Sequence, residues 1–253
     1  MTRGAPCVHA PFAVPSFSEH FAAYVFGGFL ILVTAVSIFA VRSLRRARED
    51  MLNAVRSVGF IPAQNTDALL QRLTHLYQHV RIPGRTGRTP EYKLRDVFTR
   101  RLAGGDMYIF DLVDTSGSEN TYTERQGIAV VSTRLNLPAF VVLPRLAGEG
   151  AFAKFADKMI AWIVAKMGGP VAFPNHPEFE RHYIVSSPDP DAARRFLNGD
   201  RLGRLAGLKH VGVHAGDDIF TLSRYGLVSK PNTLPELRER VEQAERMFTI
   251  LAP

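Results

Sequence analysis

Phe21 to Val41, FAAYVFGGFLILVTAVSIFAV, is a run of 21 residues without a charge that stops at Arg42. At 1.5 Å rise per residue such a helix is roughly 30 Å long, the thickness of a bilayer's hydrocarbon core. The stretch therefore reads as a transmembrane helix, and the domain organisation is expected to follow from it. Residues 1–20 form an extended tail, 21–41 the span, 42–58 a basic stalk helix and 59–253 a domain of soluble composition.

Three other readings fit less well. A cleaved signal peptide would put basic residues before a shorter apolar run and small residues at its end. Here only Arg3 and Glu19 are charged before the run, whereas Arg42, Arg45, Arg46 and Arg48 follow it. A buried core helix rarely runs this far without a polar face. Nor do Thr34 and Ser37 supply the polar face of a helix lying in the membrane interface. Because cytoplasmic flanks collect Lys and Arg, the four arginines predict a single-pass protein with its N-terminus outside and a cytoplasmic C-terminal domain. The preference for Arg over Lys along the chain suggests a bacterial source, hence an inner membrane with the N-terminus in the periplasm. Gly27 and Gly28 are small enough to let a partner helix approach. No Asp, Glu, Lys, Arg or His lies within the run, which argues against a proton or ion path.

The chain has 31 Lys plus Arg against 24 Asp plus Glu, a net charge of +7. That sign suits anionic headgroups, and no recognition helix, finger or RNA-binding signature points to nucleic acid. Cys7 is the one cysteine, which excludes an intramolecular disulfide and multi-cysteine metal sites and leaves its own modification open. Pro6, Pro11 and Pro15 break any period in the tail. Its apolar residues, Phe12 and Phe17 among them, suggest contact with a partner or the membrane surface.

Beyond the stalk, Gly59 and Pro62 signal a helix end, and Asp67 opens a second helix to about Gln78. Residues 81–101 are rich in Arg, with Arg81, Arg85 and Arg88 in a Pro/Gly-punctuated loop suited to lipid or an acidic protein face. The period then changes to two. Strands are expected at 96–101, 106–113, 122–133 and 139–143, joined by AGG and TSGSEN turns, as a four-stranded antiparallel meander. A helix at 150–167, a turn-rich 174–180, a strand at 182–186, a helix from Ser187 or Asp189 to about Ala206, a hairpin around AGDD and an amphipathic closing helix at 233–251 complete the pattern. The fold class read from this order, β4-α-β-α-β2-α, is α+β: antiparallel sheet covered by helices, behind one transmembrane helix.

The segments FDLVD (Phe110 to Asp114), NHPEFERHYIV (Asn175 to Val185) and GDDIFTLSR (Gly216 to Arg224), with the closing helix, resemble a group of bacterial membrane-anchored proteins of unknown function. The resemblance covers about residues 40–252 and implies a span, a basic stalk and a cytoplasmic α+β domain. It implies no activity and no catalytic residue.

The residues themselves offer little chemistry. His75 and His79 are one turn apart but lack further ligands. His176, Glu178, Glu180 and His182 would share one side of an extended segment, where an acid–base role is conceivable. His210 and His214 share a strand face without a nearby acid, and Asp111 and Asp114 read as turn caps. No GxSxG, kinase, dinucleotide or P-loop pattern is present. No catalytic, cofactor or metal residue is therefore assigned.

The expected role is a non-enzymatic accessory or scaffolding subunit docked on a larger membrane protein complex, such as a respiratory or photosynthetic one. The expected contacts are Arg42, Arg45, Arg46, Arg48, Arg81, Arg85, Arg88, Gly27, Gly28, Phe12 and Phe17. A membrane-tethered enzyme or ligand-binding domain is the first alternative and an anionic-lipid module the second.

Overall fold

A computed structural model describes residues 17–78, 90–116, 121–145, 169–208, 211–224 and 234–253. The chain forms two compact units, Met1–Asp50 and Met51–Pro253. Helix α1, Phe17–Ser57, is continuous across that boundary. It ends where Gly59 takes a φ of 85°, a conformation that costs glycine little.

Among the described residues the second unit is built on one nine-stranded sheet in which every pairing is antiparallel. Its strands are β1 (Ile61–Pro62), β2 (Tyr92–Leu102), β3 (Gly105–Asp114), β4 (Thr121–Val131), β5 (Leu137–Pro144), β6 (Pro170–Val171), β7 (Tyr183–Ser186), β8 (Val211–Asp217) and β9 (Ile219–Arg224). They lie in the order β1-β2-β3-β4-β9-β8-β5-β7-β6. The outermost strands, β1 and β6, are two residues long and each contains a proline. Proline cannot donate to a ladder, so these ends discourage pairing with another chain.

Both parts of the expected fold class are corrected here. Among the described residues no helix is long and apolar enough to cross a membrane. In α1 the described apolar side chains run from Phe29 to Phe39, interrupted by Thr34 and Ser37, and give way at Arg42. The second correction is to the sheet, which is one large antiparallel sheet with few helices. β2, β3 and β4 are consecutive neighbours, but β5 does not follow β4; the β8–β9 hairpin lies between them. Three strand spacings, roughly 14 Å, separate β4 from β5. The link 132–136 can bridge that distance at about 3.5 Å per residue. It passes the hairpin tip, where Ser132 N–H donates to the Asp218 carbonyl at 2.9 Å.

The remaining helices are α2 (Asp67–Gln78), α3 (Pro177–His182), α4 (Pro190–Phe196), α5 (Gly199–Ala206) and α6 (Leu234–Leu251). Residues 177–182 are thus helical rather than extended, with proline at the first turn where its missing N–H costs nothing. The single helix expected from 187 to 206 is two, each capped by its own side chain: Asp189 accepts from Ala192 N–H and Asn198 from Arg201 N–H. The expected helix at 150–167 lies outside the described residues.

Strand alternation divides the core. Met107, Ile109, Ile128, Val130, Val213, Phe220 and Leu222 face a large apolar layer with Leu237, Val241, Met247 and Phe248 of α6 and with α4, α5 and Ala54 and Val55. On the opposite face Phe110, Leu112, Ala129 and Ile219 pack against Leu69, Leu73, Leu76 and Tyr77 of α2. Arg100 ties three elements together on the first side: it donates to the Val58 carbonyl, pairs with Glu245 and lies over the Phe60 ring.

Candidate functional site

On the α2 face of the sheet several polar side chains are gathered into one buried cluster. The device that brings them in is a bulge in β4. Register passes from Phe110 opposite Gly127 to Leu112 opposite Glu124. Gln126 takes a φ of 49°, its N–H donating to Asp111 Oδ1 at 2.6 Å and its carbonyl accepting from Arg240. A bulge re-aims the neighbouring side chain. Here Glu124 comes under α2, close against Gly127, where any Cβ would lie 2.5 Å from Glu124 Cγ and 2.9 Å from the Phe110 ring.

Glu124 Oε2 accepts from Ser223 Oγ at 2.8 Å, and Tyr77 OH lies 3.5 Å away. Tyr77 OH also meets Thr221 Oγ1 at 3.2 Å, and its ring stands 5.2 Å from that of His214. His214 Nδ1 is 3.4 Å from Ser223 Oγ. Thr221 and His214 are direct cross-strand partners, so α2, β4, β8 and β9 each supply part of one cluster. Glu124 keeps some of its side chain at the surface, but burial of its carboxyl group pushes its pKa from 4.5 to about 7, against the pull of Ser223, Arg240 and Tyr77. Burial lowers His214 from 6.5 to about 4, so the imidazole is neutral at pH 7.

Beside this cluster a cavity of about 300 Å³ opens between α2, β5 and the β8–β9 hairpin. Leu76, Ala139, Val141 and Ile219 supply apolar wall, and the His214 ring forms part of it. One ion pair and one His–Asp contact border it. Arg72 Nε reaches both oxygens of Asp218 at 2.9 and 3.1 Å, and His75 Nδ1 lies 3.4 Å from Asp217. At Gly216 an added Cβ would meet Leu76 and Ala139 at ordinary contact distances.

Of the residues singled out in the sequence, His214 lies in this cluster and Asp111, inside β3 rather than at a turn, holds the bulge; the His176–His182 group is not brought together. His176 sits beside Gly199, Glu178 pairs with Arg181 at the surface, and Glu180 accepts from Phe173 N–H at 2.5 Å. His182 is exposed, so these four converge on no pocket. Arg42, Arg46 and Arg48 are exposed on α1, while of Phe17, Gly27, Gly28 and Arg45 only the helical backbone is described. Phe12, Arg81, Arg85, Arg88, His79 and His210 lie outside the described residues. Among the described residues no group of His, Cys, Asp and Glu is arranged to hold a metal ion. Sequence reasoning missed Glu124, Ser223 and Tyr77. The signal was present in β9, where Thr221 and Ser223 alternate with Phe220 and Leu222 and so must lie on a face of their own. No family model, no curated protein and no solved structure matches this chain.

Proposed function

We propose that the protein is a non-enzymatic accessory or scaffolding subunit that docks on a larger membrane protein complex at the cytoplasmic face of a bacterial inner membrane. The observation that carries this reading is the surface of α1. Phe29, Leu32 and Phe39 are 62%, 61% and 76% exposed, with Val33, Val36 and Ile38 also open to solvent. Large apolar side chains grouped on one segment mark a surface that another molecule covers. Arg42, Arg46 and Arg48 follow directly, and basic residues near a membrane surface gain about 1 kcal/mol each from anionic lipid. Apolar residues beside cations match the boundary between acyl chains and headgroups, where a membrane complex presents its own apolar helices.

The test is purification of the tagged full chain from native membranes in mild detergent, followed by mass spectrometry. The expected result is recovery in the membrane fraction with a fixed set of membrane subunits, and loss of both on combined Phe29→Glu, Leu32→Glu and Phe39→Glu substitution. Recovery of the unmodified chain alone, or from the soluble fraction, overturns the proposal. Recovery with anionic vesicles but no protein partner favours the lipid-binding alternative instead.

A further inference from the structure

We propose that the cavity between α2, β5 and the β8–β9 hairpin binds a small uncharged molecule, apolar except for one hydrogen-bonding group, and that Nε2 of His214 receives that group. The ring is only 3% exposed, and its Nδ1 is taken up by Ser223. Nε2 has no hydrogen-bond partner among the described residues and is not one of the polar atoms sealed from solvent without a partner. The His214 ring forms part of the cavity wall, and on this proposal Nε2 lies on that wall. A volume of about 300 Å³ sits at the lower end of small-molecule sites and accommodates one substituted ring. The ligand is uncharged because the Arg72 and Asp218 charges at the border already pair with each other and a buried neutral imidazole offers no counter-charge.

Ser223 fixes what Nε2 can do. Its hydroxyl has one proton. When Glu124 is ionised that proton goes to the carboxylate, so Nδ1–H of His214 donates to Ser223 and Nε2 is an acceptor. When Glu124 is protonated it donates to Ser223, Ser223 donates to Nδ1, and the imidazole proton moves to Nε2, which becomes a donor. The charged and titratable groups facing Glu124 are Tyr77 from α2, Asp111 from β3, His214 from β8 and Arg240 from α6, with Ser223 and Thr221 from β9. The cavity thus takes a hydroxyl as donor above neutrality, and below it Nε2–H donates to an acceptor, so that a carbonyl ligand binds only there.

The full chain is titrated by ligand-observed NMR with 4-methylphenol, its methyl ether 4-methylanisole, and 4-methylacetophenone, at about pH 8 and about pH 6, either side of the Glu124 titration at about 7. At the higher pH the phenol binds roughly 3- to 10-fold tighter than the ether, the value of one hydrogen bond. At the lower pH the ketone gains by a similar factor. His214→Phe abolishes both preferences while the ether still binds. Ala139→Leu, which narrows the cavity without touching the cluster, weakens all three. Failure of every probe to bind, equal binding of phenol and ether, pH-independent preferences, or undiminished binding to an Ala139→Leu protein of unchanged melting temperature each overturns the proposal. None of these readouts depends on α1 or on a docking partner.

Discussion

The two faces of the sheet differ in what they bury. The α6 face is sealed by side chains such as Phe220, Met107 and Ile128, with 0% exposure each and no polar atom among them. The α2 face buries Thr221, Ser223 and His214 and brings in Glu124 beside a cavity. An apolar layer stabilises by area and packing alone. A buried polar cluster has to satisfy each of its atoms, and it holds its members in one arrangement. The contrast separates the side of the sheet that supplies stability from the side that holds chemistry, and four measurements test that division.

The largest effect belongs to the apolar side. Phe220→Ala should destabilise the protein by about 3–5 kcal/mol in urea unfolding, because it removes a ring from a layer that has no space to collapse into. A loss below about 1 kcal/mol would mean that this face is not the main core. Ser223→Ala comes next, at about 1–3 kcal/mol, since it leaves the Glu124 carboxyl and His214 Nδ1 without their shared partner. If the cluster were merely wet surface, the substitution would be neutral.

The third prediction concerns pH. Glu124 is raised from 4.5 to about 7, so the stability it allows is full at low pH and declines as pH rises from about 4.5 through about 7. His214 is lowered from 6.5 to about 4, so its contribution is full above about 6.5 and declines as pH falls toward 4. Between about 4.5 and 6.5 the two slopes oppose each other, and wild-type stability should be nearly flat. Glu124→Gln should unmask a loss on acidification, and His214→Phe a loss on alkalinisation. Melting temperatures across that window that keep the same slope in both variants would contradict the buried pair. The smallest effect is at the cavity border, where Arg72→Met should cost about 0.2–1 kcal/mol, because both partners of the Arg72–Asp218 pair are about one-third exposed.

How much of this was legible beforehand depends on range. Local chemistry was readable: AGG and AGDD lie at turns between strands, Asp67 begins α2, and Gly59 follows the last turn of α1. The β4–β5 relationship was not, because short links suggest neighbours and nothing in residues 132–136 shows that a hairpin 75 residues later fills the gap. The prolines at 174 and 177 mark residues 174–180 as a turn, whereas Pro177 stands at the start of a short helix, a place that suits it. The cluster itself was illegible because its members come from four elements, and Glu124 is turned by a bulge that has no simple sequence mark. The apolar run at 21–41 gave a length and an absence of charge, but among the described residues no helix meets the requirement for a span.

The insertion of β8–β9 between β4 and β5 has a consequence for synthesis. As the chain leaves the ribosome, β4 and β5 are both complete long before β9 and β8, their neighbours in the hairpin, exist. The nascent protein therefore carries two open hydrogen-bonding edges until residue 224 has emerged. Pairings of such sequence separation form slowly, and open edges invite association with other chains in the meantime. Translation speed through residues 145–210 and the presence of a chaperone should therefore govern the yield of folded protein more than any single contact in the finished sheet.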